Sequence, residues 1–212
     1  MVKSIVIVGG SSDIAKSTIS SISTENYKFH ALVRDDSHTD ELSGLGVNVI
    51  LGDATSEEDI KNFISGAKES GEIHAVLHCV GSFAVRPPHA MNKEAFEAVI
   101  STNLTSAFLT LSIAGKAMLS QGHGRMVFMS SVAGSLGLVN HEAISAAKGG
   151  IESMVRSAAA TYANRGLRIN AVAPGLTDTK LASPIMSNET ASQAASQKIP
   201  VKRVGRLSLI HI

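Results

Sequence analysis

Short β-branched runs and longer segments of helical period alternate along the chain. Ser-Ile-Val-Ile-Val at 4–8 has no polar residue after its first position, the pattern of a strand buried on both faces. Residues 12–25 predict a helix, with Asp13 near its start. A second strand is predicted over 28–33 and, after a short helical turn, a third over 46–51. Ser56 opens a helix whose first turn carries Glu57, Glu58 and Asp59, where acids suit the helix dipole. A fourth strand is predicted over 73–79. Residues 92–121 read as a short helix running into a long one. A fifth strand over 125–130, a long helix over 142–164 and a sixth strand over 167–173 follow.

Strands alternating with helices of this length imply right-handed crossovers and a parallel sheet covered on both faces. Six such strands fit an α/β, doubly wound, Rossmann-like sheet of order 3-2-1-4-5-6. Ligands of that fold bind beyond the carboxyl ends of the strands, so the informative residues should follow strands. No repeat, low-complexity tract or charged linker divides residues 1–212, and one domain is expected.

Composition narrows the function classes. Hydrophobic residues at 44% and charged residues at 17% exclude intrinsic disorder. Lys+Arg 19 against Asp+Glu 18 is too balanced for a nucleic-acid or anionic-membrane binder held by bulk charge. One cysteine excludes an internal disulfide and a cysteine-built zinc site. The eight histidines form no ligand pair, so no metal is expected. The apolar run at 4–10 is too short to span a bilayer, and 107–119 contains Lys116. A soluble cytoplasmic protein is the expectation.

The chemistry sits after the strands. Gly9-Gly10-Ser11-Ser12-Asp13-Ile14-Ala15 follows the first, where a tight turn and a helix N-terminus can hold a pyrophosphate. Alone, this run reads equally well as an ordinary Gly-rich turn. Gly52-Asp53-Ala54-Thr55 follows the third strand, and His78-Cys79-Val80-Gly81 ends the fourth. Asn103-Leu104 lies in the long helical segment, Ser130-Ser131 ends the fifth strand and Lys148 lies on the next helix. Pro174-Gly175 and Thr179 follow the sixth. Together these motifs resemble the short-chain dehydrogenase/reductase family, especially its 3-oxoacyl carrier-protein reductase branch, from residue 4 to about 206.

The resemblance implies a dinucleotide bound by Gly9, Ser11, Ser12 and Ile14 at the turn, and by Asp53 and Ala54 at the adenine. It places Val80 and Gly81 at the adenine ribose and Lys148, Pro174, Gly175 and Thr179 toward the nicotinamide and pyrophosphate. Asn103, Ser131 and Lys148 match three of four catalytic positions. The fourth, a tyrosine four residues before the lysine, is Ile144 here, and Tyr27 and Tyr162 are too far along the chain to replace it. His141, three residues earlier, is the nearest alternative proton donor, although the leading reading of that position is an ordinary exposed histidine just before a helix. Asp13 stands where the family sets a glycine, either repelling the pyrophosphate or capping the helix. Arg34 after the second strand favours NADP over NAD, against a solvated Arg-Asp-Asp loop as the plain alternative.

Three further expectations complete the reading. The family continues beyond Val204-Gly205-Arg206 into another helix and a seventh strand, which the short tail here lacks. Residues 176–200, rich in Ser, Ala and Thr, would form a mobile lid over a small-molecule substrate. Ala107, Leu111, Ala114, Ala117 and Met118, with Ile151, Met154, Val155, Ala158 and Ala159, put apolar or small residues on more than one helix face, and at least a homodimer is expected. The expected function is NAD(P)-dependent oxidoreduction of a carbonyl or secondary alcohol. The alternatives are a dinucleotide-binding protein without turnover and a remnant that binds no cofactor.

Overall fold

The computed structural model describes residues 3–22 and 26–210. Strand β1 (Lys3–Val8) leads through α1 (Asp13–Ser21) to β2 (Tyr27–Val33), and α2 (Thr39–Gly44) to β3 (Val47–Leu51). Helix α3 (Glu57–Glu69) precedes β4 (Ile73–His78); α4 (Lys93–Ile100) and α5 (Ser106–Gln121) precede β5 (Gly124–Met129). Helix α6 (Glu142–Tyr162) precedes β6 (Leu167–Val172), and α7 (Ser183–Met186) and α8 (Glu189–Lys198) follow. The six strands pair in parallel in the order β3-β2-β1-β4-β5-β6. Among the described residues no strand follows β6.

The sheet is apolar on both faces because two cores share it. Ile5 and Ile7 point toward Ala15, Ile19, Phe29 and Leu42 in one core. Val6 and Val8 point the other way, toward Phe63, Leu111, Met118, Phe128 and Ile151. Alternation within β1 therefore feeds both layers, which is why its sequence shows no polar period. Left-handed Gly166 (φ 80°) turns the chain from the end of α6 into β6. A Cβ there would stand 2.1 Å from the Gly122 carbonyl oxygen, so no other residue fits.

Two expectations are corrected and one gains detail. The first helix ends at Ser21, because Ile22 takes extended backbone (φ −110°, ψ 132°); its expected continuation over 23–25 lies outside the described residues. Residues 176–200, expected as a mobile lid, carry a helical turn (Lys180–Ala182), α7 and α8. Their mixed Ser/Ala composition hides the helical period. The small residues taken to spread over several helix faces lie mostly on one: Ala107, Leu111, Ala114 and Met118 are buried against the sheet, as are Ile151, Val155 and Ala158. What α4 and α5 expose instead is Phe96 (40%) and Phe108 (56%). By length and composition the run Lys93–Gln121 could also cross a membrane, yet 44% of its apolar window is buried inside the fold.

Candidate active site

Parallel strands bring all the marked loops to one edge of the sheet. The chain leaves β1 through Gly9, whose φ of 87° is left-handed. A Cβ on Gly9 would meet Val80 Cγ2 and Val80 N at 2.9 Å, so the turn after β1 packs directly on the loop after β4. Both Gly9 N and Gly10 N bond to Leu32 O at 3.0 Å, which anchors the turn to β2. Ser12 is the N-cap of α1, its hydroxyl accepting from Ala15 N at 3.1 Å. The remaining first-turn amides, beside Ser11 and Ile14, have no partner within the helix, as at any helix start.

Asp13 neither caps α1 nor stands free. Its Oδ2 accepts a hydrogen bond from Lys180 N at 2.6 Å. The carboxylate so ties the segment after β6 to the start of α1, across the strand ends. Lys16 approaches the same carboxylate at 3.9 Å and reaches Glu41 at 3.1 Å. Pro174 O accepts from Val132 N at 3.0 Å, and Gly175 lies 4.0 Å, at its would-be Cβ, from Val132 Cγ1. Thr179 caps the Lys180–Ala182 turn, and Thr177 bridges to Gly205. The edge of the sheet beside α1 is thus spanned by residues 174–180.

At the far end, Arg34 is exposed after β2 and Asp53 is exposed after β3. Asp53 Oδ1 accepts from Thr55 N and Thr55 Oγ1, both at 2.8 Å. Those bonds, with Arg34 nearby, hold its carboxyl below the usual range. Ala54 turns inward against the core.

In the middle, Asn103 and Lys148 converge on Gly81. Between α4 and α5 the helix widens into a π turn, Ser101–Thr105. Such turns insert one residue and recur at functional sites. Asn103, on that turn, is fully buried. Its Nδ2 donates to Ser82 Oγ and to Val99 O, both at 2.9 Å, and its Oδ1 accepts from Ser82 N at 3.2 Å. A Cβ placed on Gly81 would lie 3.4 Å from Asn103 Oδ1 and 3.7 Å from Lys148 Nζ. Lys148 Nζ donates to Met129 O at 2.7 Å. Burial, opposed weakly by Cys79, lowers the Lys148 pKa to about 8. Ser131 stays accessible and caps the Val132–Gly134 turn, accepting from Ala133 N at 3.2 Å.

Sequence reasoning missed the partners that hold these groups. Ser82 fixes Asn103, the Met129 carbonyl holds Lys148, and the Lys180 amide holds Asp13. Only Ser82 had a signal, its place beside Gly81. Ile144 is buried in a small apolar cluster with Val99, Ala133, Ala143 and Ala147. His141 turns Nδ1 to Val139 O at 2.7 Å. Buried His78 gives Nε2 to Ser106 Oγ at 3.0 Å, and burial lowers its pKa to about 3. Among the described residues no group of three or more His, Cys, Asp or Glu side chains could hold a metal ion.

A profile of the family described as enoyl-(acyl carrier protein) reductase matches residues 9–210. The 3-oxoacyl-[acyl-carrier-protein] reductase MabA of Mycobacterium bovis is 30% identical over 203 residues, covering 96% of this chain and 80% of MabA. The chain belongs to the short-chain dehydrogenase/reductase family. Cis-4-hydroxycyclohexanecarboxylate dehydrogenase of Sinomonas cyclohexanicum is 35% identical over 156 residues, 73% of this chain and 62% of that enzyme. Among solved structures, ElxO with NADP bound superposes with a TM-score of 0.89 at 24% identity, over 98% of this chain and 87% of its own. Levodione reductase does so with a TM-score of 0.89 at 25% identity, over 99% and 89%. The chain is thus an oxidoreductase of a family that uses NAD(P), on the Rossmann-like sheet its sequence predicts.

Proposed function

We propose that this short-chain dehydrogenase/reductase binds NADP in preference to NAD and reduces the carbonyl of a small molecule, with Asn103, Ser131 and Lys148 as its site. The observation that carries this reading is the convergence of Asn103 Oδ1 and Lys148 Nζ on Gly81, at the strand ends where Ser131 also lies. The residues fit a dinucleotide. Gly9 lets the turn after β1 lie against Val80, α1 presents its first-turn amides, Arg34 offers a cation at the adenosine end, and Lys148 retains donors for a ribose. When bound, the dinucleotide supplies the hydride. Ser131 donates its hydroxyl hydrogen to the carbonyl oxygen, Asn103 braces the loop after β4, and Lys148 supplies positive charge beside the forming alkoxide.

The substrate loops are apolar. Phe83 (40%) and Val85 (38%) after β4 and Leu136 (58%), Leu138 (37%) and Val139 (77%) after β5 are exposed, and the loops join through Arg86 N and Asn140 O at 2.8 Å. An uncharged, largely apolar carbonyl compound suits this rim. NADPH and NADH titrations, followed by turnover on a panel of apolar and charged ketones, test the reading. Failure of NADPH to bind, or tighter binding of NADH, would refute it.

Ile144 supports a second reading, a dinucleotide-binding protein without turnover. We read it as standing in place of the family's proton-donating tyrosine, and it fills an apolar cluster instead of offering a hydroxyl. A cytoplasmic homodimer completes the proposal, its contact built on exposed Phe96 and Phe108. Phe108→Glu should then yield a monomer by light scattering at micromolar concentration, and a wild type already monomeric there would refute the contact.

A further inference from the structure

Carbonyl reduction needs a hydride on carbon and a proton on oxygen. Few groups at these strand ends can give that proton. Asn103 has both amide hydrogens committed, to Ser82 Oγ and Val99 O. Ser131 can donate a hydrogen bond, but a serine hydroxyl does not release its proton near neutral pH. Ile144 carries no acidic hydrogen. Burial keeps the Cys79 thiol protonated, its pKa pushed up to about 12, and keeps His78 neutral.

Lys148 remains. It is 7% exposed, and its one hydrogen bond among the described residues is to Met129 O. The ammonium thus keeps two further N–H bonds, and its nitrogen lies 3.7 Å from where a Cβ on Gly81 would stand. The groups packed around it are known. His78 and Cys79 approach from the end of β4, Asn103 from the π turn and the Met129 carbonyl from β5. Glu152, one turn further along α6, is turned away to Ser130 Oγ at 2.8 Å and Ser135 Oγ at 2.7 Å. Among the described residues no carboxylate pairs with the ammonium, so nothing fixes it in the charged form.

We propose that Lys148 is itself the acid of this site, giving a proton, directly or through one water, to the carbonyl oxygen held by Ser131. This rests on the functional reading above. As hydride from a dihydronicotinamide forms the new C–H bond, the carbonyl π pair moves onto oxygen and takes the Lys148 proton. The substrate is reduced to an alcohol, the dihydronicotinamide is oxidised, and Lys148 is left as a neutral amine that regains its proton from water. Burial brings that exchange into the working range, since the Lys148 pKa lies at about 8.

The first test is heteronuclear NMR of the unmodified protein with labelled lysine, free of cofactor. One lysine resonance should titrate near pH 8 and be missing from Lys148→Met; all lysines titrating above pH 10 would overturn the proposal. The second is kinetic. Ketone reduction by the unmodified protein should fall about tenfold per pH unit above the same midpoint. Lys148→Arg keeps the charge without a removable proton and should bind NADPH within about threefold while losing reduction by about 10²-fold or more. Undiminished reduction by Lys148→Arg would overturn the proposal. NADPH binding with no ketone reduction by the unmodified protein would overturn the acid role and leave the cofactor reading standing. Absence of NADPH binding would overturn both.

Discussion

Replacing Asp13 by asparagine removes one charge from the start of α1 and little else. The side chain keeps an oxygen that can accept from Lys180 N, the contact that spans the strand ends at 2.6 Å. A carboxylate and a pyrophosphate sharing one helical turn would stand roughly 6 Å apart, which at an effective dielectric near 40 is a repulsion of about 1.4 kcal/mol. Lys16, 3.9 Å from the carboxylate, offsets part of it, although Glu41 at 3.1 Å competes for the same ammonium. A net gain of about 1 kcal/mol makes NADPH bind about fivefold tighter to Asp13→Asn. The hydrogen bond weakens as its acceptor loses charge, by about 1 kcal/mol, so Tm should fall by about 2–4 °C. Asp13→Ala removes charge and acceptor together. It should lose about twice as much stability and, with residues 177–182 untied from α1, less of the affinity gain should survive. Fluorescence titration with NADPH and thermal melts on the three proteins decide the matter. Unchanged or weaker NADPH binding by Asp13→Asn, with its melt lowered as expected, would show that the carboxylate does not face the anion.

Three other variants probe the remaining groups. Arg34→Ala should weaken NADP binding about tenfold and leave NAD within about twofold, by titration; an equal effect on both would remove the 2′-phosphate argument. Lys148→Met should stabilise the protein at pH 7, because the depressed pKa of Lys148 records a cost of holding its charge in the interior. The sign follows from proton binding: between about pH 8 and the unfolded lysine value near 10.4 the unfolded chain holds more protons, so wild-type stability rises with pH there. The advantage of Lys148→Met, about 1–3 kcal/mol at pH 7, should therefore shrink above pH 8 in denaturant melts. Ile144→Tyr should raise ketone turnover by about 10²-fold if the hydroxyl reaches Ser131 and Lys148, at about 1–3 kcal/mol of stability for overfilling the apolar cluster. An equally active but destabilised variant would show that the ring finds no path to the site.

The strands were legible to within a residue or so because each is a short β-branched or apolar run bounded by turn residues, buried on both faces at the centre of the sheet and alternating toward its edges in β3 and β6. Lys3–Val8 is the clearest instance, since its two sets of alternate residues enter two different cores. The loops that carry chemistry were legible by position, since parallel strands must all end at one edge. The contacts within the site were not. Asp13 meets Lys180 across 167 positions of sequence, and nothing local to either residue encodes the pairing. The start of α1 carries three oxygen-bearing side chains in succession, Ser11, Ser12 and Asp13, and only the structure shows that Ser12 takes the cap. The stripe Ala107, Leu111, Ala114, Met118 shows a different failure. Its spacing of four, three and four already describes a single helix face, and counting small residues obscured that.

The π turn at Ser101–Thr105 makes the length of this helix a matter of register. Asn103 bonds through its own side chain to Val99 O, the carbonyl that an unbroken α-helix would give to the Asn103 amide. The segment therefore tolerates one residue more than an α-helix needs. A one-codon deletion there would let α4 run uninterrupted into α5, and helix propensity alone would favour it. Because the π turn absorbs one extra residue, the helix downstream would keep its register, and Ala107, Leu111, Ala114 and Met118 would stay against the sheet. What would go is the widened turn from which Asn103 reaches Ser82 Oγ and Val99 O. A deletion within these five residues should accordingly cost the site more than the fold.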